Sequence, residues 1–392
     1  MTAPTAAALP PRPAAILSPI IDLLCVGGLS LIVFIPLLLF AGDELFFVSL
    51  AALAWAQILI NMSHFMASYR IVYRDKAMLL RHKWATLGVP LLLVLYLLVA
   101  IDQAQKGPPL LVGILIAVSS GYLAWHYTGQ VWGMMASYAY LHGLRFEPPE
   151  RRLIRASLRL LLVWHLIWAV RIWFSQTGLF EPAWVVPAYQ LASAGSVVAL
   201  GLGAVGLAKV RRRTGQWPPA RAMVPWFAIF VWYAVMARWG LAGLFLVQLA
   251  HAVQYLEFPA RVELNRATRR SASRAVPHMV VYALLLLTIS FLVTQVVPGP
   301  AMSSMADLVG DQRRNVVPVL ILTFINIHHY FTDGVIWKIS NPEVRKELFA
   351  HVEAERRKDA KTQSGEGMDG RTAGRQAGGR GKGKKSKNSR RG

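Results

Sequence analysis

Six of the ten histidines in this 392-residue chain, His64, His126, His165, His251, His328 and His329, fall inside long apolar stretches. An ionisable side chain in such a stretch is costly to bury and is, by default, a candidate for function. Neutral imidazole is a donor for iron, copper, zinc or nickel, and an all-nitrogen set with open positions suits a metal that must also bind oxygen or substrate. His64, His126, His251 and one of His328 and His329 come from four stretches far apart in sequence, as a buried metal site between helices requires. His328 and His329 point about 100° apart on a helix, so one of the two is expected to ligate directly. His165, with Trp164, Trp168 and Arg171 nearby, reads instead as a helix-to-helix hydrogen-bonding group.

Ligating histidines are oriented by carboxylates and carbonyls behind them. Asp333 follows His329 by four residues and shares its helical face, Tyr255 follows His251 at the same spacing, and Gln130 follows His126. Glu257 is a further acid near His251. Tyr255 and Asp333 are therefore the residues expected to act beside a metal. Asp22, near the start of the first apolar stretch, joins them as a candidate proton-relay group or as an interfacial residue of a helix start. Patterns for other chemistries, GxSxG, Walker A, CxxC, HExxH and the dinucleotide glycine motif, do not occur.

Elements that could hold these side chains follow from composition. The chain is 55% hydrophobic and 16% charged, with a mean hydropathy of +0.42, whereas an ordinary soluble domain carries about a quarter charged residues. Apolar blocks of roughly 20 residues, the length a helix needs to cross a bilayer, predict an all-α, polytopic transmembrane bundle. Ten spans are expected, near 15–41, 45–67, 84–101, 109–141, 153–176, 185–208, 222–238, 240–258, 276–297 and 316–339. The first is too long for a signal peptide and reads as a retained helix. The sole cysteine, Cys25, excludes an intramolecular disulfide.

Alternate connections differ in charge. One side carries five bases in each of Arg70–Lys83, Arg145–Arg159, Lys209–Arg221 and Arg261–Arg274; the other has Lys106, Arg238, Arg313 and Arg314. The positive-inside rule places the basic side, and both termini, in the cytoplasm of a bacterial-type inner membrane. With that orientation, and a rise of about 1.5 Å per residue, the histidines of the four stretches lie in a layer from mid-membrane to the cytoplasmic face.

The expected organisation is a short cytoplasmic segment over 1–14, a transmembrane domain over 15–340, an amphipathic stretch over 341–358 and a disordered basic tail over 359–392. Much of the net charge of +22 sits in that tail and in the loops. The tail is expected to touch anionic lipid; nucleic acid is not an expected partner, because no aromatic residues are interleaved to stack bases.

Several stations resemble those of the Brp/Blh-type bacterial membrane β-carotene central-cleavage dioxygenases. Trp232-Tyr233-Ala234, then Phe245 and His251-Ala-Val-Gln-Tyr255, is similar to a family helix that ends in a His-x-x-x-His pair. Ile327-His328-His329-Tyr-Phe-Thr-Asp333 resembles the family's last station, Trp125-His126-Tyr127 its second and Ser63-His64-Phe65 its first. Tyr255 stands where the family has a second histidine, and His64 lacks the flanking proline, glycine and following aspartate. The resemblance implies a related fold and a histidine-bound non-haem iron. Taken together, these readings lead to the expectation of a metal-dependent membrane oxygenase, with iron or another transition metal, acting on a lipophilic small molecule. A haem-bearing electron carrier and a transporter using intramembrane histidines are the alternatives.

Overall fold

The computed structural model describes residues 15–42, 55–74, 76–177, 180–300, 311–337 and 342–354, and these are helical with short connections. The elements are α1 (Pro19–Phe40), α2 (Ser63–Tyr73, entered through a π-helical segment Gln57–Met62), α3 (Lys76–Arg81), α4 (Trp84–Lys106) and α5 (Leu110–Leu141). They continue with α6 (Pro148–Thr177), α7 (Val185–Thr214), α8 (Ala220–Arg270), α9 (Ala275–Phe291, followed by a π-helical segment Leu292–Val296), α10 (Asp311–Ile336) and α11 (Pro342–Leu348). The chain divides into two units, Met1–Leu348 and Phe349–Gly392. The expected N-terminal segment and basic tail lie outside the described residues.

Among the described residues, eight helical runs are long and apolar enough to cross a membrane, where ten spans were expected. Two differences account for this. The expected spans 222–238 and 240–258 fall in one run, α8, which is two helices joined across a kink at Gly240 (φ 58°, ψ −128°), so the expected break between them is present and the two halves together make one of the eight. Only glycine adopts that conformation without strain. The expected span 45–67 falls partly outside the described residues, and what is described of it is the π-helical entry and the first turns of α2.

Apolar side chains cover the outside as well as the inside. Leu91 is 61% exposed, Leu191 76% and Val197 72%, in company with many others on α1, α4, α7 and α9. A surface of this kind is unsustainable in water and is what lipid solvates, so the molecule reads as a multi-pass membrane protein. Inside, buried tryptophans of the core satisfy their indole N–H groups on neighbouring helices. Trp226 donates to Ser157 (3.1 Å), Trp232 to Ser30 (2.8 Å) and Trp164 to Ser193 (3.1 Å).

Helices α2, α5, α8 and α10 pack around one another as a closed ring of four. Contacts recur one turn apart in the same sense on each side of the ring. His64 meets His329 and Ser68 meets Asp333; His64 meets His251 and Ser68 meets Tyr255; His126 meets His251 and Gln130 meets Gln254. These four helices therefore run parallel and bring residues of equal depth together.

Candidate metal centre

Each helix of the ring contributes one imidazole. Neighbouring ring centroids lie 4.8 Å apart for His64 and His329, 5.3 Å for His64 and His251, 4.8 Å for His126 and His251, and 5.1 Å for His126 and His329. The interplanar angles run from 71° to 88°, so the rings meet edge to face around a common centre. The Nε2 atoms of His126 and His251 are 3.0 Å apart. Asp333 Oδ2 lies 3.4 Å from His329 Nε2 and 3.7 Å from His126 Nε2, and donor atoms of these three residues fall within 4.8 Å of one another. Donors bound at about 2.1 Å to one ion stand roughly 3.0–3.4 Å apart at right-angle or tetrahedral positions, close to the spacings seen here.

Hydrogen bonding points the same way. Buried polar atoms are nearly always paired, yet both ring nitrogens of His64, Nδ1 of His251 and Nε2 of His329 have no hydrogen-bond partner among the described residues. Four imidazoles in contact with unspent nitrogens, beside a carboxylate, are a donor set that fits a transition metal.

A second layer fixes this set. Asp333 Oδ1 accepts from Tyr255 Oη (2.7 Å) and Ser68 Oγ (3.0 Å), and Trp337 Nε1 donates to Tyr255 Oη (2.6 Å). Ser68 Oγ also lies 3.1 Å from His329 Nδ1. With the serine proton given to Asp333, Ser68 Oγ can accept from His329 Nδ1–H, the tautomer that keeps the Nε2 lone pair for the centre. Gln130 bridges α5 to α8 through Gln254 Oε1 (2.9 Å) and the His251 carbonyl. Ser68 and Trp337 are not singled out by sequence reasoning. Their signal is spacing alone: Ser68 is four residues after His64, and Trp337 four after Asp333.

The ring thus brings together His64, His126, His251 and His329 with Asp333 and Tyr255. His328 is not part of it. Its Nε2 lies 3.1 Å from Tyr73 Oη and its Nδ1 3.1 Å from Tyr69 Oη, which turns it toward the far face of α2. Nor is Asp22, whose carboxylate accepts from the backbone N–H groups of Ile16 (2.7 Å), Leu17 (2.8 Å) and Ser18 (3.0 Å) and from Arg221 Nη1 (2.9 Å). Those partners make Asp22 the anchor of the chain's entry into α1. Glu257 is hydrogen-bonded by Tyr138. His165 sits between α6 and α8 with its Nδ1 3.2 Å from Tyr233 Oη, as a helix-to-helix bonding group would.

A cavity of about 210 Å³ begins at His126, Asp333 and Tyr255 and runs between α5 and α10. Met134, Phe258, Tyr330 and Leu348 supply apolar wall; Gly129, Gly133 and Gly334 leave room, since a Cβ at any of them would meet nothing within 4 Å. Gly129 and Gly334 are exposed, and Trp125 at the same rim is 64% exposed, so the cavity opens sideways through the helix ring.

No protein-family model, no curated protein and no solved structure matches the chain.

Proposed function

We propose that the chain is an integral-membrane oxygenase whose metal, non-haem iron, is held by His64, His126, His251 and His329, and whose substrate is a lipophilic small molecule. The observation that carries the reading is the ring of four contacting imidazoles from four parallel helices, with unspent nitrogens and Asp333 at its edge. A bound iron supplies redox chemistry with dioxygen that no side chain here offers. The protein's part is to hold the imidazoles in one tautomer and one orientation. Ser68 does this for His329, while Tyr255 and Trp337 keep the Asp333 carboxylate aimed at the ring.

The cavity supports the substrate class. Its walls are mostly apolar and its rim lies at lipid-facing positions, so a membrane-dissolved molecule reaches His126 and Asp333 without crossing water. The resemblance to Brp/Blh-type dioxygenases supports the same class of chemistry and a bacterial inner membrane. In this reading the basic connections and both termini are cytoplasmic, and the basic tail lies on anionic lipid. The rings, packed at 4.8–5.3 Å, leave no slot for a porphyrin, which favours a metal ion over haem.

Elemental analysis of detergent-purified protein, expressed with iron supplied, tests the proposal. About one equivalent of iron per chain, without haem absorbance, is the expected result. Folded protein that carries no transition metal under those conditions overturns it.

A further inference from the structure

On the other side of the histidine ring lies a second chamber, of about 450 Å³. Three of its lining residues stand in one relation to the ring: Asn61, Gln248 and Asn326 each precede a ring histidine, His64, His251 and His329, by three residues. On parallel helices this spacing sets a tier of carboxamides one turn before the tier of imidazoles. Thr294 and Gln57 add polar groups to the same wall. Asn61 lies in the π-helical segment Gln57–Met62 and Thr294 in the segment Leu292–Val296, and such segments concentrate at functional sites. Asn61, Gln248 and Asn326 are each half-buried and present their amides to the chamber rather than to a hydrogen bond seen among the described residues. Three unspent amides inside a membrane protein are costly unless water or a ligand meets them.

We infer that this chamber is the route by which the metal ion reaches the histidine ring, an inference that rests on the metal reading of that ring. Carboxamide oxygens can replace waters around a cation, and being neutral they do not trap it. Imidazole nitrogens bind a borderline divalent ion more tightly than amide oxygens do, so donor strength rises from the chamber to the ring. Phe65 forms the partition. It lines the chamber, and its ring centroid is 4.1 Å from that of His64 and 4.6 Å from that of His329. The apolar cavity beyond the ring is left to the lipophilic substrate.

Chelator-stripped full-length protein in detergent is mixed with Co²⁺, and uptake is followed by visible absorbance and by bound metal per chain. Gln248→Leu combined with Asn326→Leu should slow loading at least tenfold, yet reach the wild-type stoichiometry. Asn326→Gln, which keeps the amide, should load at close to the wild-type rate, and Phe65→Ala should load several-fold faster. Gly133→Leu, which fills the apolar cavity, should leave the rate unchanged. Wild-type loading rates in the double leucine variant, or slowed loading in Gly133→Leu, overturn the route while the metal reading stands. A wild-type protein that takes up no Co²⁺ overturns the metal reading itself.

Discussion

His328 and His329 are adjacent, of one chemistry, and both buried, yet they touch different things. His329 meets two other imidazoles of the ring, His64 and His126, and Asp333; His328 faces the hydroxyls of Tyr69 and Tyr73. His329→Ala is therefore expected to abolish stoichiometric metal, whereas His328→Ala keeps it and loses only hydrogen bonds worth about 1 kcal/mol each. Metal content of the two purified variants decides this, and an inverted result would put the centre on the wrong face of α10. The 100° step between the two residues was legible in the sequence, and with it the fact that one must differ from the other. Which one turns inward was not, because that depends on where α2 and α5 stand, and no local pattern carries that information. Asp22 shows the same limit from the other side. Its placement in an apolar stretch suggested chemistry, but the backbone N–H groups it caps and the Arg221 guanidinium, 199 residues away, explain it as an anchor.

At the scale of elements, α8 carries the largest share of the architecture, and the kink that joins its two helices hinges on Gly240. Hydropathy separates the apolar runs on either side of Arg238-Trp239-Gly240, and the backbone breaks at the same place, where Gly240 leaves the helical conformation. A Cβ at Gly240 would stand 3.6 Å from Ile172 Cδ1, an ordinary contact, so space is not what requires glycine. The dihedral angles are: φ 58° with ψ −128° lies outside even the left-handed helical region that asparagine tolerates. Gly240→Ala and Gly240→Asn should both destabilise the protein by about 1–3 kcal/mol. That loss is read as a lowered thermal midpoint in detergent, accompanied by weaker metal retention, because His251 lies on the segment the bend directs. A midpoint unchanged in both variants would mean that the kink does not depend on glycine. The i to i+4 pairs His251–Tyr255 and His329–Asp333, by contrast, were legible in advance, since a helix alone makes them neighbours.

Taken as a whole, the molecule puts two unlike cavities on the two sides of one ring, and their roles depend on which side faces the cytoplasm. Residues that follow the histidines, from Tyr255 to Phe258 on α8 and from Asp333 to Trp337 on α10, border the apolar cavity, toward the basic connections; residues that precede them border the amide chamber. In the proposed topology, which rests on twenty bases against four in alternate connections, the apolar cavity takes the cytoplasmic half and the chamber the outer half. That orientation can be read with cysteine labels on a Cys25→Ser background. Gln216→Cys lies in the exposed connection between α7 and α8, next to Arg211, Arg212 and Arg213. Phe180→Cys lies between α6 and α7 at a position 88% exposed. A membrane-impermeant maleimide added to intact cells should label position 180 and reach position 216 only after the membrane is opened. The reverse pattern would turn the molecule over. The metal ion would then arrive from the cytoplasm, where a cell controls its supply directly, and the basic connections would need an anionic partner outside it.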